Sequence, residues 1–444
     1  MKVVVISGGT ATNSLVPLFS SLCSELTYIL PISDNGGSTS ELMRVIGGPA
    51  IGDLRSRITR LISNSSPGTE RGLYNLFTYR LRGDYEAAKH EWGQIVDGTH
   101  SLWSAIPSQV KELVRPFFVE VNGELLKRLR PGKEFRYEEA SVGNLFLTGA
   151  RIFCGSLDSA IELMLRISRV PNSINVLPAM NTNFSHHISA LLQNGTTITG
   201  QSQISHPSAL APHADIDSES VTPQPQPQAQ PQSTAASPAA HRRNSLDNMS
   251  PIDDEDAQLP FTHPDLKHSQ LHFSKLSNEP LPSPIQRIHY INPYGHEIHP
   301  RASQRVISSI CDASMVVYSI GSLYTSTIPI VILKGVSSAL KVCQKKVFLL
   351  NGTPDRETGG MDAEAYVNAV ISACEYSGSR YTSVKEQPFI THLVYLVNSA
   401  IPVQEHILHN NYGIKPLPVT PDPENPTRYD QNDLSRVLHQ IAQS

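Results

Sequence analysis

The chain has 444 residues, of which 39% are hydrophobic and 17% are charged, and its formal net charge is −4 at neutral pH. A length above about 300 residues allows one large domain or two ordinary ones. The weakly acidic balance provides no positive field for a nucleic acid polymer or an anionic membrane, so we expect neither as a partner. The five cysteines are widely spaced and include no CxxC pair, which indicates reduced thiols.

An apolar run at residues 3–6 follows Lys2 and ends before Gly8 and Gly9. The run is too short for the hydrophobic segment of a signal peptide or for a membrane span. We therefore expect a cytoplasmic protein, and nuclear localisation stays open.

The N-terminal part alternates strand and helix patterns. Residues 2–7 form a β-branched run typical of a strand, and apolar residues then recur at helical spacing from Leu15 to Leu26. Residues 26–33 predict a second strand. Ser38 and Glu41 have the spacing of a capping box, which predicts the start of a short helix.

Two regions interrupt this alternation. Residues 84–140 have apolar and aromatic residues at helical spacing without a strand between them, and we interpret them as an inserted helical cap or lid. In residues 206–284, Pro, Gln and Ser are frequent and too little apolar surface can be buried, so we expect a disordered insertion. Arg242 and Arg243 precede Ser245 there, which makes Ser245 a candidate phosphosite; a charged patch in a loop is the simpler alternative.

The C-terminal part resumes the alternation. Residues 314–319 and 345–350 predict strands, residues 390–398 predict a helical region, and residues 434–441 predict a final amphipathic helix. Alternating elements of this kind favour an α/β fold with a doubly wound, mainly parallel sheet and helices on both faces. Residues 1–205 and 285–444 would then be two parts of one domain.

Ligands of doubly wound sheets bind beyond the carboxyl ends of the strands, where four polar loops are predicted. In the first, Gly8 and Gly9 allow the backbone to approach a phosphate, and Thr10 and Asn13 add hydrogen-bond donors. A tight turn from strand to helix explains the loop equally well, because its spacing matches neither GxGxxG nor the P-loop motif.

The second loop places an acid and an amide, Asp34 and Asn35, before Gly36, Gly37 and Ser38. The glycines favour phosphate contacts, and the acid would serve as a metal ligand or a base. A simple turn would look the same in sequence.

In the third loop, Asp53 can orient Mg²⁺ and Arg55 can clamp phosphate oxygens, although Asp53 is also a good helix cap. The fourth loop offers backbone amides, three hydroxyls and an aromatic ring for a base or sugar, in Gly321, Ser322, Tyr324, Thr325 and Ser326. A ring buried in the turn is the alternative for the aromatic residue.

Taken together and in this order, the loops resemble the CofD/YvcK family of phospholactate transferases and nucleotide-sugar-binding factors. The matching segments are residues 8–10, 33–38, 52–55, 142–145 and 321–326, and Glu357-Thr358 after Asn351. The sequence departs from the family pattern at Ala11, at Ala140 and at the pair Ser319-Ile320.

The resemblance implies a Rossmann-like fold and a nucleotide or nucleotide-sugar ligand. One branch of the family moves a phospholactyl group, with Mg²⁺, from a guanosine diphosphate-linked donor to a hydroxyl of a deazaflavin precursor. The other branch binds UDP-sugars and is tied to carbon metabolism and cell-wall growth. Carried over by position, Asp34 and Asp53 would hold the metal and serve the chemistry with Arg55. The remaining ligand contacts would come from Gly8, Gly9, Thr10, Asn13, Asn35, Gly36, Gly37, Ser38, Gly143, Asn144, Gly321, Ser322, Tyr324, Thr325 and Ser326.

The sequence therefore leaves two functions open. The chain would be a Mg²⁺-dependent transferase of phosphorus-containing groups, or alternatively a non-catalytic regulatory factor that binds a UDP-sugar. A redox enzyme of the dinucleotide-binding type ranks third, because the glycine spacing does not match its fingerprint. A homodimer is one assembly state that the sequence leaves open.

Overall fold

A computed structural model describes residues 1–33, 36–63, 68–130, 134–205, 280–378 and 388–444. Asp34, Asn35, Ser245 and the greater part of the predicted insertion, residues 206–279, lie outside the described residues.

The core of the fold is a seven-stranded sheet in which every paired strand runs parallel to its neighbours. In sheet order its strands are β11 (Lys415–Val419), β10 (His392–Leu396), β9 (Lys346–Leu349), β8 (Met315–Tyr318), β1 (Lys2–Ile6), β2 (Glu25–Leu30) and β3 (Ile174–Pro178). The chain winds outward from β1 in one direction through β2 and β3, and in the other from β8 to β11. The predicted doubly wound, mainly parallel α/β fold is confirmed.

Helices flank the sheet. They are α1 (Val16–Leu22), α2 (Gly37–Val45), α3 (Gly52–Leu61), α4 (Thr69–Thr78), α5 (Tyr85–Asp97), α6 (Ser108–Arg128), α7 (Val142–Cys154), α8 (Leu157–Ile167), α9 (Gln201–Ser205), α10 (Gln304–Cys311), α11 (Ile328–Val331), α12 (Val336–Leu340), α13 (Ala363–Ser377), α14 (Glu405–Tyr412) and α15 (Gln431–Gln443). A 3₁₀ turn, Ala11–Leu15, precedes α1, and a π-helical turn, Leu323–Thr327, precedes α11.

The central strands are buried on both faces, which explains their composition. All four residues of β8 and of β9 are buried, and so are the last four of β1. Such strands have continuous apolar runs instead of an alternating pattern. The strands predicted at 2–7, 314–319 and 345–350 are confirmed in slightly shorter form.

A second, smaller sheet was not predicted. It is antiparallel and has the order β5 (Thr197–Thr199), β4 (His187–Leu192), β6 (Ile285–Ile291) and β7 (Glu297–Ile298). Its two long strands, β4 and β6, are adjacent in space but lie on opposite sides of residues 206–279 in the chain. Their pairing is a long-range contact, so no turn sequence between them predicts it.

Three local predictions are wrong. Residues 392–396 form strand β10 instead of a helix, because a short run buried on both faces carries no periodicity to distinguish the two. The helical pattern predicted from Leu15 to Leu26 is too long, since α1 ends at Leu22 and Leu26 lies in β2, as the strand prediction for residues 26–33 has it. No capping box forms at Ser38 and Glu41. The Ser38 hydroxyl accepts hydrogen bonds from Ser141 and Asn144, and Glu41 binds Arg44 of the same helix and the amide of Arg136, so other partners have replaced the capping pair.

The described part of residues 84–140 is helical, as expected, and contains α5 and α6. Its long helix α6 packs along α7, with a cluster of edge-to-face aromatic contacts that includes Phe117, Phe118 and Phe146. This packing places the insertion beside α7. The final helix α15 buries Leu434, Val437, Leu438 and Ile441, which confirms the amphipathic pattern. Within the described residues, no helix combines the length and the apolar character needed to cross a bilayer.

Candidate functional site

A cavity of about 820 Å³ lies where the strand order reverses, at the carboxyl ends of β1 and β8. Doubly wound sheets bind their ligands at this switch point, because the loops after the two strands separate there. Residues of the loops after β1 and β8 line the cavity, together with the amino-terminal turns of α2 and α3. All four sequence-predicted loops therefore contribute described residues to one cavity.

The loop after β1 has no room for side chains at its two glycines. A Cβ atom on Gly8 would lie 2.4 Å from Oγ of Ser326, and one on Gly9 would lie 2.1 Å from Oδ1 of Asp53. The glycines are thus needed so that this loop can lie between the fourth loop and the start of α3. Thr10 and Asn13 line the same cavity, and the side-chain amide of Asn13 donates to Oγ of Ser56 at 3.2 Å.

A hydrogen-bond chain connects the starts of α2, α3 and α7. Nε of Arg55 donates to Oδ1 of Asn144 at 3.1 Å, and Nδ2 of Asn144 donates to Oγ of Ser38 at 3.2 Å. Oγ of Ser38 also accepts from the amide of Ser141 at 3.0 Å. Arg55, Asn144 and Ser38 all line the cavity, so the guanidinium group is held in one orientation by its neighbours.

Four arginines line the cavity, at positions 55, 60, 80 and 428, whereas Asp53 is the one carboxylate among the described lining residues. Burial lowers the pKa of Arg55 to about 10, and the positive charge of Arg80 adds to this shift, while Asp53 opposes it. Arg55 is still a cation at neutral pH. The cavity therefore has the charge of an anion-binding site.

A fifth arginine, Arg57, lies behind the first loop and is fully buried. Its Nη2 donates to the carbonyl oxygen of Gly8 at 3.1 Å, and its Cζ lies 4.6 Å from the centre of the Tyr28 ring. Nε and Nη1 have no hydrogen-bond partner among the described residues. Burial lowers the pKa of Arg57, and Tyr28 and Asp53 partly offset this effect.

The fourth loop is anchored by two residues that follow β9. The side-chain amide of Asn351 both accepts from the amide of Gly321 and donates to its carbonyl oxygen, at 3.0 and 2.8 Å. The carboxyl group of Glu357 accepts from the amides of Tyr324 and Thr325, at 3.0 and 3.2 Å. These contacts hold the π-helical turn so that Ser322, Thr325 and Ser326 line the cavity. π-Helical turns are rare and are often found at functional sites.

Two predicted ligand contacts lie elsewhere. The ring of Tyr324 is buried, its hydroxyl donates to the carbonyl oxygen of Ile285, and it lines a second cavity of about 560 Å³ beside β6 and α13. Tyr324 is therefore a buried aromatic residue of the turn, which is the alternative that the sequence left open. A Cβ atom on Gly143 would lie 2.3 Å from the carbonyl oxygen of Phe77 and 3.0 Å from Cδ of Arg55, so this glycine allows close packing.

The predicted residues that do line the main cavity are Gly8, Gly9, Thr10, Asn13, Gly36, Gly37, Ser38, Asp53, Arg55, Asn144, Gly321, Ser322, Thr325 and Ser326. Asp34 and Asn35 precede Gly36 but lie outside the described residues. None of the described residues between 84 and 140 lines this cavity. Asp53 lies inside the first turn of α3 and is not its cap, which is Ile51.

Sequence reasoning missed several lining residues, notably Arg60, Arg80, Ser205 and Arg428. An isolated antiparallel β-bridge between Arg80 and Ser141 places Arg80 beside the cavity, and Arg428 lies in the segment before α15. Neither contact has a local sequence signature. The acid of the matched pair Glu357-Thr358 gave a usable signal, because an acid that is buried after a predicted strand at this edge of the sheet needs a polar partner.

Comparison with known proteins gives sequence relatives and a solved structure of similar fold. An uncharacterized protein of Saccharomyces cerevisiae is 45% identical over 460 residues, which cover 100% of this chain and 99% of that protein. A Yersinia pestis protein described as a candidate gluconeogenesis factor is 35% identical over 114 residues, covering 26% of this chain and 36% of that protein. A crystal structure of a UPF0052 family member from Bacillus halodurans has a TM-score of 0.58 at 18% identity, covering 99% of this chain and 98% of that one, and shows a shared fold.

The family assignment follows from the length of these matches. Residues 3–440 match the family described as 2-phospho-L-lactate transferase CofD, and the yeast relative matches along its whole length. The chain therefore belongs to the CofD family.

Proposed function

We propose that the chain binds a nucleoside diphosphate conjugate in the main cavity and transfers a phosphorus-containing group from it to a hydroxyl acceptor. The observation that carries the proposal is the convergence of four arginines and the glycine turns after β1 and β2 on one cavity at the switch point of the sheet. The reaction class is that of the family to which the chain belongs.

Charge and shape both favour a diphosphate ligand. A guanidinium group binds two phosphate oxygens at once, and the backbone amides of glycine turns can approach phosphates closely. Four arginines against one described carboxylate leave an excess of positive charge that ionised phosphates would neutralise. The cavity volume of about 820 Å³ lies within the usual range for small-molecule and cofactor sites.

Mg²⁺ is compatible with the residues present. Within the described residues, no group of three or more His, Cys, Asp or Glu side chains forms a metal site. Mg²⁺ is usually bound by one or two carboxylates together with the phosphates of the substrate, so a full protein cage is not required. Asp53 lines the cavity beside Gly8 and Gly9 and would hold the ion with Asp34. The bound ion would withdraw charge from the phosphate oxygens.

The protein's own contribution would be positioning and charge stabilisation. Arg55 is held in place by Asn144, so it is oriented before the ligand arrives. The remaining guanidinium groups would bind oxygens of the diphosphate and stabilise the negative charge that develops on the departing nucleoside monophosphate.

A second candidate function uses the same cavity without turnover. The sequence match to a candidate gluconeogenesis factor favours a regulatory role in carbon metabolism. The ligand would then be a UDP-sugar, as the resemblance to the second branch of the family implies. Both functions require the arginines and the glycine turns, and only the first requires product formation.

Differential scanning fluorimetry with UDP-sugars, GDP conjugates and GTP conjugates, with and without Mg²⁺, would identify the ligand class, because a bound ligand raises the melting temperature. Each stabilising conjugate is then incubated with hydroxyl acceptors, and release of the nucleoside monophosphate is measured by chromatography. Release that disappears in Asp53→Ala, while binding persists, would support the transferase. Stabilisation by a UDP-sugar without any release would favour the regulatory function, and no stabilisation by any conjugate would refute both.

A further inference from the structure

A buried carboxyl group lies directly behind the wall of the main cavity. Glu357 is only 4% exposed, and its Oε1 lies 2.5 Å from Oγ of Ser205 and 2.6 Å from Oγ1 of Thr325. Ser205 and Thr325 line the main cavity, whereas Glu357 does not. These two hydroxyls therefore lie between the carboxyl group and the cavity and can carry a proton from one to the other.

The three oxygen atoms form a triangle. Oγ of Ser205 and Oγ1 of Thr325 are 2.8 Å apart, so each of the three edges is within hydrogen-bond distance. Each hydroxyl carries one proton, and two protons can fill only two edges. A proton on the carboxyl group of Glu357 supplies the hydrogen bond for the third edge. When Glu357 is ionised, both hydroxyls can donate to it, and their free lone pairs can accept a proton from a ligand.

The surroundings of Glu357 support a proton exchange near neutral pH. Burial and the nearby charge of Asp355 raise the pKa of Glu357 to about 7. Burial also raises the pKa of Asp355 itself. The other titratable groups that interact with Glu357 are Tyr324 of the π-helical turn and Tyr366 of α13.

The end of α9, which carries Ser205, is held in place. Nη1 of Arg356, the residue before Glu357, donates to the carbonyl oxygens of Gln203 and Ile204, at 2.6 Å each. Thr325 is held from the other side, since its amide also donates to Glu357. The triangle is therefore built from three separate segments of the chain whose geometry is fixed by further hydrogen bonds.

We propose that Glu357, a positioning residue, receives the proton of the acceptor hydroxyl by way of Ser205, while Thr325 donates a hydrogen bond to the same carboxyl oxygen. This inference rests on the proposed transfer reaction. Ser205 is the more exposed of these two lining residues, so its hydroxyl would meet the acceptor. The acceptor oxygen forms a bond to phosphorus, and the bond between that phosphorus and the bridging oxygen of the nucleotide breaks, so that the nucleoside monophosphate leaves with the electron pair. The proton of the acceptor passes to Oγ of Ser205, whose own proton moves to Glu357. Glu357 returns it to solvent after the product has left.

The first experiment measures the protonation state without any turnover. Infrared difference spectra of the full chain between about pH 5 and pH 9 would show the C=O stretch of a protonated carboxylic acid, which disappears with a midpoint near neutral pH. This band should be missing in Glu357→Gln and unchanged in Glu405→Gln, whose carboxylate binds Tyr395 on another surface. A spectrum of Glu357→Gln identical to that of the wild type would overturn the proposal.

The second experiment measures the transfer with the conjugate that yields a nucleoside monophosphate. In Glu357→Gln we expect kcat to fall by about 100-fold or more, the rise of kcat with pH near neutrality to be lost, and KM for the conjugate to change less than about twofold. Ser205→Ala should lower kcat similarly, and Ser205→Thr should restore most of it.

Several outcomes count against the relay. A wild-type kcat that is flat across this pH range, or a Glu357→Gln variant that binds the conjugate and keeps its kcat, would overturn the relay alone and leave the transferase intact. A wild-type chain that binds conjugates but releases no nucleoside monophosphate would overturn both. If Glu357→Gln fails to fold, the Ser205→Ala and Ser205→Thr pair decides, because equal kcat values in the two variants would overturn the proposal.

Discussion

A Cβ atom on Gly9 would lie 2.1 Å from Oδ1 of Asp53 and 2.7 Å from its Cα, so the turn after β1 touches the first turn of α3 directly. This contact brings the backbone amides of the first loop beside the carboxylate that is proposed to hold Mg²⁺. Close backbone approach of this kind requires glycine, because any side chain would displace one of the two elements.

Gly9→Ala should therefore abolish the proposed binding of nucleoside diphosphate conjugates. The added methyl group would meet both the side chain and the backbone of Asp53, so the loop and α3 would have to separate. The ligand-induced rise in melting temperature measures this effect. Gly93→Ala is the matched control, because a Cβ atom there meets nothing within 4 Å, and in the middle of α5 it should stabilise the fold by up to about 1 kcal/mol. Equal ligand responses in the two variants would contradict the prediction.

Asp53→Asn should remove the Mg²⁺ dependence of binding. An amide cannot supply the charge that a carboxylate provides to Mg²⁺, so conjugates should stabilise the variant equally with and without the ion. Calorimetric titration at several Mg²⁺ concentrations would measure this. The control is Asp97→Asn, an exposed acid at the end of α5. A variant at position 53 that retains the full Mg²⁺ response would show that Asp53 is not a ligand of the ion.

Arg55→Lys should weaken conjugate binding by about 1–3 kcal/mol, or roughly 5- to 150-fold in Kd. Lysine keeps the positive charge but loses the planar fork, and its ammonium group cannot reproduce the bond from Nε to Asn144. Asn144→Ala should have a similar but smaller effect, since it leaves Arg55 charged but unoriented. The control is Arg436→Lys, because Arg436 forms an exposed ion pair with Asp433 on α15. An unchanged Kd in both cavity variants would exclude bidentate binding at Arg55.

Arg57→Met should weaken conjugate binding without a matching loss of stability. The guanidinium group of Arg57 is buried, and none of its described contacts is with a carboxylate. Replacing buried charged groups by apolar side chains of similar size often leaves the free energy of unfolding unchanged. We expect the free energy of unfolding to change by less than about 2 kcal/mol, while Kd rises because positive charge behind the Gly8 loop is lost. Denaturant unfolding and calorimetry on the same samples separate the two effects. A loss of stability without any change in Kd would assign Arg57 a purely structural role.

His392 should make the fold sensitive to mild acid. Burial lowers its pKa to about 4, with further lowering by Lys415 and Lys345. The unfolded chain, whose histidines have a pKa near 6.5, binds a proton that the folded chain does not bind between about pH 6.5 and pH 4. The free energy of unfolding should therefore fall by up to about 1.4 kcal/mol for each unit that the pH is lowered through this window, and should be insensitive to this group above it.

Denaturant unfolding between about pH 4 and pH 8 would measure this slope. His392→Gln should reduce it, while His409→Gln, at an exposed position on α14, should leave it unchanged. The same slope in both variants would show that other groups cause the loss of stability. His187, whose pKa burial also lowers to about 4, is the next group to test in that event.

Much of the fold was predictable because its signals are local. The buried strands β1, β8 and β9 are short β-branched or apolar runs, each followed by a turn rich in glycine or polar residues. The amphipathic face of α15 is an equally local signal. In contrast, the sequence of β10 predicts a helix as readily as a strand, because five consecutive buried residues satisfy both patterns.

The turns that carry glycine and polar residues can be identified from the amino-acid order alone, because the conformational freedom of glycine and the donors of short side chains are properties of single residues. The folded chain was needed to show that Arg60, Arg80 and Arg428 face the same cavity as these turns, that the ring of Tyr324 points away from it, and that Glu357 lies behind Ser205 and Thr325. These are contacts between residues up to several hundred positions apart. They depend on how the strands pair and on which face of each turn is buried, and no local pattern encodes either property.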